Sequence, residues 1–97
     1  MSAVEHWIAG LPLDQAVVMA IQAELIRAVG KHGWERTPFN PAMTDTDKLV
    51  VLVEEVGEVA RAMTYDEGDR DQLYRELIQT AAMSAAWAQS LHPGGTR

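Results

Sequence analysis

The sequence predicts an all-α fold, an antiparallel helical bundle, and three observations carry that reading. Residues 49–63 and 69–91 each repeat their apolar side chains at steps of three and four, the spacing of one helix face. Residues 14–31 do the same behind a capping aspartate. The connection between the last two stretches is short, which makes those helices antiparallel neighbours. At 97 residues the chain suits one domain, 1–97, with its core at about 14–91.

Taken in order, residues 1–12 begin with Val4 to Ile8, a short helical turn ended by Gly10 and Pro12. Asp14 then caps a helix running to about Lys31, with Val17, Val18, Ile21, Leu25 and Val29 as its apolar face. Gly30 and Gly33 supply the stop. Residues 32–46 hold Pro38, Pro41 and Gly33, so they form a loop, and a loop of this length in a small domain is often functional. Thr44, Asp45 or Thr46 caps the next helix. In that helix Leu49, Leu52, Val53, Val56, Ala60 and Met63 make the apolar stripe. Gly68 breaks it, and Asp69 caps the last helix. From Leu77 to Ala88 that helix carries almost no charge, so it is expected to be buried on more than one side. Three helices cannot bury it fully. Its alanines permit close approach, so the bundle is expected to be completed by a second copy, in four-helix-bundle packing. Residues 92–97 read as a frayed tail.

Composition narrows the function. There is no cysteine, which removes disulfides and thiolate metal sites. The net charge of −6 argues against a nucleic-acid partner held by a broad basic surface. The start lacks the basic and apolar regions of a signal peptide, and no apolar run approaches the roughly 20 residues of a membrane span. The expectation is a soluble, cytoplasmic protein with no membrane partner. His6, His32 and His92 are scattered and show no metal-ligand spacing.

The carboxylates are the informative residues. Taking roughly 100° per residue, Glu54 falls on the polar side of its helix. Glu55 falls inside the apolar arc, with Val51 and Ala62 to one side and Leu52 and Val59 to the other. Glu58 sits at the rim one turn along. On the last helix Glu76 shares a stripe with Leu73, Thr80, Met83 and Trp87, and Gln79 follows it by three. An acid in an apolar arc is costly unless something pairs with it. Side chains three apart are neighbours. Two such pairs face to face supply several oxygens to a hard cation such as Mg²⁺.

Glu54-Glu55-Val-Gly-Glu58 followed by Glu76-Leu-Ile-Gln79 resembles the paired acidic motif of MazG-like nucleoside triphosphate pyrophosphohydrolases, an all-α superfamily. The likeness extends to Lys31-His-Gly before the loop and to the Ala-rich helix ending in Trp87, covering roughly residues 14 to 91. The resemblance implies hydrolysis of a nucleoside triphosphate to the monophosphate and pyrophosphate, with Mg²⁺ required and Mn²⁺ able to substitute; house-cleaning of nucleotide pools is one role it leaves open. Carried over by position, it makes Glu55, Glu58, Glu76 and Gln79 the metal ligands. It also implies a homodimer or dimer of dimers with the active site near the subunit interface. Gln79 departs from the pattern, which has Asp there. An amide oxygen still coordinates a hard cation but carries no charge. Glu54 is the candidate general base, or holds the attacking water. Lys31, Arg36, Lys48 and Arg75 are candidates to bind the triphosphate, and Trp34 and Phe39 to stack on the base. Two rival readings stand beside this one: a nucleotide-binding regulatory module that has lost turnover with the fourth acid, and a structural helical oligomer.

Overall fold

A computed structural model describes residues 13–64 and 69–94 of the chain. It shows three α-helices: α1 (Gln15–His32), α2 (Asp45–Thr64) and α3 (Arg70–Leu91), with a single 3-10 turn at Trp34–Arg36. Among the described residues there is no strand. The turn expected at Val4 to Ile8 and the break expected at Gly68 lie outside the described residues.

Each helix starts where a short polar side chain meets free backbone donors. Asp14 accepts from Ala16 N at 2.8 Å, and Asp69 accepts from Asp71 N at 2.9 Å and Gln72 N at 3.1 Å. For α2 the cap is Thr44, whose Oγ1 accepts from Asp47 N at 3.1 Å. Lys31 and His32 in the last turn of α1 oppose its dipole. Gly33 then ends it at φ 83°, a conformation that side chains resist, and its N–H returns to Val29 O. Gly30 does not stop the helix. It lies inside α1 with open space around its Cα.

The loop is shorter than expected, 33–44, and braced from within. Thr37 Oγ1 donates to Trp34 O at 2.7 Å, and Asn40 Nδ2 donates to Glu35 O at 3.0 Å. Asn40 Oδ1 also accepts from Ala42 N at 2.9 Å. Thr37 and Pro38 are consequently buried.

Helices α2 and α3 run antiparallel. The first turn of α2 meets the last turns of α3, where Trp87 Nε1 donates to Asp45 Oδ1 at 3.2 Å and Lys48 Nζ to Ser90 Oγ at 2.8 Å. Glu55, further along α2, meets Gln79, earlier on α3. Helix α1 packs on the other side of this hairpin, where Ala28, Ile21 and Leu25 lie against Ala82, Met83 and Val51.

The core is thin. The buried apolar residues among those described are Ala28, Ala62, Ala82, Met83 and Ala86, nearly all alanine. Backbones can approach closely at such positions, but little apolar area leaves water. Lys48, only 2% exposed, is the largest fully buried side chain among the described residues.

One expectation is corrected here. The stripe Leu49, Leu52, Val53, Val56, Ala60, Met63 is not the face that α2 buries: all but Leu52 are exposed. The half-buried and buried positions are Lys48, Val51, Leu52, Glu55, Val59 and Ala62. At roughly 100° per residue, the exposed stripe is centred about 100° around α2 from the packed one. Helical spacing marks a face as apolar without saying what covers it. On α3, Leu77 and Leu91 are exposed as well. No helix among the described residues is long and apolar enough to cross a membrane.

Candidate functional site

The packed face of α2 carries Glu55 toward α3 at mid-length. Its neighbours Val51, Leu52, Val59 and Ala62 are the residues that bury against the bundle, so the carboxylate is drawn in with them. On α3, Glu76 lies on the stripe that continues through Met83, and it is 7% exposed.

Amides hold these acids. Gln72 Nε2, one turn before Glu76, donates to its Oε1 at 2.5 Å. Arg75 Nη2 in turn donates to Gln72 Oε1 at 2.6 Å, which fixes that amide's orientation. The Gln79 amide reaches both acids: with its nitrogen toward them it donates to Glu76 Oε2 and to Glu55 Oε2, each at 3.2 Å. Glu55, Gln79 and Glu76 are therefore brought together as the spacing predicts. Glu58 is exposed and stands outside the bridge. Among the described residues, no three histidine, cysteine or acidic side chains converge to hold a metal ion. What converges is two carboxylates and an amide.

The charges are unevenly relieved. Burial pushes the Glu55 carboxyl above its ordinary value, and the negative charges of Glu76, Glu24, Glu58 and Glu54 push it further. Glu24 belongs to α1 and chelates Arg27, which donates through Nε at 2.8 Å and Nη2 at 2.6 Å.

Of these groups Glu24, Arg27, Glu54, Glu55 and Gln79 border a cleft of about 230 Å³, and Glu76 lies outside its lining. Helix α1 contributes Glu24, Arg27, Ala28 and His32, and the loop contributes Arg36, Thr37 and Pro38. Val51, Glu54 and Glu55 come from α2, and Gln79 and Met83 from α3. The lining mixes charges: α2 and α3 bring Glu54, Glu55 and Gln79, and α1 and the loop bring Glu24 with Arg27, His32 and Arg36.

Of the residues expected at a phosphate, Arg36 lines this cleft. Lys48 does not: it is buried against Ser90, two turns of α2 away, or about 10 Å along the axis. Arg75 is bound to Gln72 and borders an adjoining groove with Tyr74 and Ile78, which shares Glu24, Arg27 and Gln79 with the cleft. Lys31 is exposed, and Trp34 lies outside the cleft lining. Phe39 packs in a groove with Val18, Ile21 and Leu25. Neither aromatic is placed to stack on a base in the cleft.

Sequence reasoning passes over Glu24 and Arg27, and it reads His32 as a solvated loop histidine, whereas His32 ends α1 and lines the cleft. Glu24 carries the same signal as Glu55, an acid three residues after Ile21 and four before Ala28 on the packed face of α1. Arg27 follows as its partner three residues on.

No protein-family model, curated protein or solved structure matches the chain.

Proposed function

We propose that the cleft binds a nucleoside triphosphate together with a divalent cation and hydrolyses it to the monophosphate and pyrophosphate. One observation carries this reading: Glu55 and Gln79, which meet Glu76 behind them, line a cleft that also holds Arg27, His32 and Arg36. A chain of net charge −6 gains nothing by crowding acids unless a cation offsets them. The donor set fits Mg²⁺ or Mn²⁺, hard ions that take carboxylate and amide oxygens and keep open positions for phosphate and water. Glu55, Glu76 and Gln79 are the ligands in this proposal, and Glu58 acts through its charge.

When bound, the cation supplies charge neutralisation at the phosphates and a more acidic attacking water. The chain's own groups do the rest. Arg27, His32 and Arg36 hold the phosphate oxygens. Glu54, exposed on the cleft wall one residue before Glu55, accepts the proton of the attacking water. Val51, Met83 and Pro38 supply the apolar part of the lining.

The same proposal includes a homodimer. The uncovered stripe of α2 lies about 100° around that helix from its packed face, and a second hairpin laid against it gives four-helix packing.

The test is to incubate the protein with each common ribo- and deoxyribonucleoside triphosphate, with Mg²⁺ or Mn²⁺, and assay pyrophosphate. Absence of product with every one, together with no cation binding by calorimetry, removes the enzyme reading. A second reading has its own support: both oxygens of Glu76 already accept hydrogen bonds from amides, so the bridge is complete without an ion. On that reading the chain is a nucleotide-binding module without turnover, and Gln79→Asp raises activity sharply from zero.

A further inference from the structure

We infer that Lys48 and Ser90 form a second binding site, apart from the cleft, that takes a small organic carboxylate. The pocket they line measures about 410 Å³, and Pro41, Asp45 and Leu91 complete it. None of these residues lines the cleft, so this site stands or falls independently of the nucleotide reading.

Lys48 is the residue that asks for a ligand. Its side chain is 2% exposed, where the first turn of α2 meets the last turns of α3. An ammonium group can donate to several acceptors at once. Lys48 Nζ donates to Ser90 Oγ at 2.8 Å, and Ser90 Oγ in turn donates to Trp87 O at 2.6 Å. Ser90 is neutral, so this contact satisfies one N–H and cancels no charge. Among the described residues no carboxylate pairs with Lys48. A buried charge without a counter-ion is costly to a fold, because it has left water and gained no opposite charge. The remaining N–H donors of Lys48 are left to a group from outside, and the pocket is where such a group has room.

The rest of the lining selects among anions. Asp45 lines the same pocket, and its Oδ1 accepts from Trp87 Nε1 at 3.2 Å. Together Lys48 and Asp45 leave the lining without net charge. A ligand with more than one negative charge, such as phosphate, therefore gains nothing by attraction while its desolvation cost rises. A single carboxylate suits Lys48 better, through charge-assisted hydrogen bonds. Asp45 Oδ2 accepts from no described residue, so it can take a hydrogen from a hydroxyl or ammonium group beside that carboxylate. Pro41 and Leu91 offer apolar contact to the carbon skeleton. The chemistry that matches is a small 2-hydroxy or 2-amino acid.

The experiment uses the whole ¹⁵N-labelled protein at neutral pH and constant ionic strength, titrated separately with sodium lactate and sodium phosphate. The reporter is the Trp87 indole N–H, which is bonded to Asp45 and is assigned by its loss in Trp87→Phe. The expected result is a saturable shift of that signal with lactate, at a concentration about tenfold or more below any response to phosphate. Lys48→Met keeps the side-chain volume and removes the ammonium, so it should stay helical and bind lactate about tenfold or more weaker. Asp45→Asn keeps an acceptor for Trp87 and removes a negative charge from the lining, so it should tighten phosphate about fivefold. No saturable shift with lactate overturns the inference. So does phosphate binding as tightly as lactate to the wild type, or undiminished lactate binding in Lys48→Met. The wild-type titrations and Asp45→Asn decide the matter even where Lys48→Met fails to fold.

Discussion

Val53→Asp is the perturbation that tests whether two hairpins pair. In the single chain Leu49 is 50% exposed, Val53 59%, Val56 52% and Met63 61%. Full burial of such a side chain is worth about 1.5–3 kcal/mol, so each half-exposed one still holds roughly 0.8–1.5 kcal/mol. Four of them give about 3–6 kcal/mol per protomer, and a two-fold interface doubles that to about 6–12 kcal/mol. Association costs about 4–15 kcal/mol in lost freedom, so these residues alone bring the dimer to the edge of stability. The exposed Leu77 and Leu91 of α3 add to it.

Aspartate in place of Val53 removes about 1 kcal/mol of burial from each protomer and sets a charge against its symmetry mate. Each charge costs several kcal/mol unless it escapes to water. A loss of about 4 kcal/mol or more weakens the dimer roughly a thousandfold. Sedimentation equilibrium over a wide concentration range reads this directly: wild type dimeric, Val53→Asp monomeric and still helical by circular dichroism. A wild type that stays monomeric at high concentration refutes the reasoning. So does a Val53→Asp protein that dimerises as tightly as the parent.

Other outcomes follow from single residues. Glu55→Gln should abolish pyrophosphate release while stabilising the fold at neutral pH. The folded protein holds this carboxyl above its ordinary 4.5, so ionising it costs stability once pH exceeds the raised value. The wild type should recover part of that loss as pH falls toward 4.5, and the gap to Glu55→Gln should narrow. Urea unfolding at neutral and mildly acidic pH checks both signs. Gly33→Ala should cost about 1–3 kcal/mol, because the backbone there sits at φ 83° and ψ 144° while the added Cβ meets only ordinary contacts. Gly30→Ala, inside α1 with open space, should instead gain about 0.5–1 kcal/mol, and thermal midpoints of the pair should move in opposite directions. Lys48→Ala should cost about 2–4 kcal/mol by opening a cavity, whereas Lys48→Met, which keeps the volume and removes a buried charge, should stay within about 1 kcal/mol of wild type in the same unfolding assay.

Local features were legible in the sequence because their causes are local. Asp14 and Asp69 cap the helices they were expected to cap, since a short acceptor beside free N–H groups needs no tertiary help. Glu55 was legible too. An acid flanked on both sides by apolar neighbours must go wherever they go. The covering of α2 was not legible, because Leu49, Val53, Val56 and Met63 look like a core stripe whether the covering helix comes from the same chain or another. Lys48 and Arg75 were misplaced for a different reason. Their side chains are long enough to serve several sites, and only the packing of Ser90 and the hydrogen bonding of Gln72 choose among them.

The two central acids are unequal, and the inequality points to which one answers to a ligand. Glu76 is the more buried, yet its two oxygens accept from Gln72 and Gln79. Hydrogen bonds to the charged form offset the cost of its burial. Glu55 accepts from Gln79 and faces the charges of Glu76, Glu24, Glu58 and Glu54. Arg27 feels the Glu55 charge, but its guanidinium is already chelated by Glu24. Strain from unrelieved charge therefore collects on Glu55, at the cleft wall, and Glu76 stays settled behind Gln79. A cation entering the cleft would gain most at Glu55, and Glu76 would supply a rigid anchor. On that logic Glu76→Gln should disturb the fold more than Glu55→Gln, and Glu55→Gln should cost more in cation affinity. The opposite ranking, measured by unfolding and calorimetry on the same two proteins, would mean that the amide bridge is the purpose of the arrangement rather than its resting state.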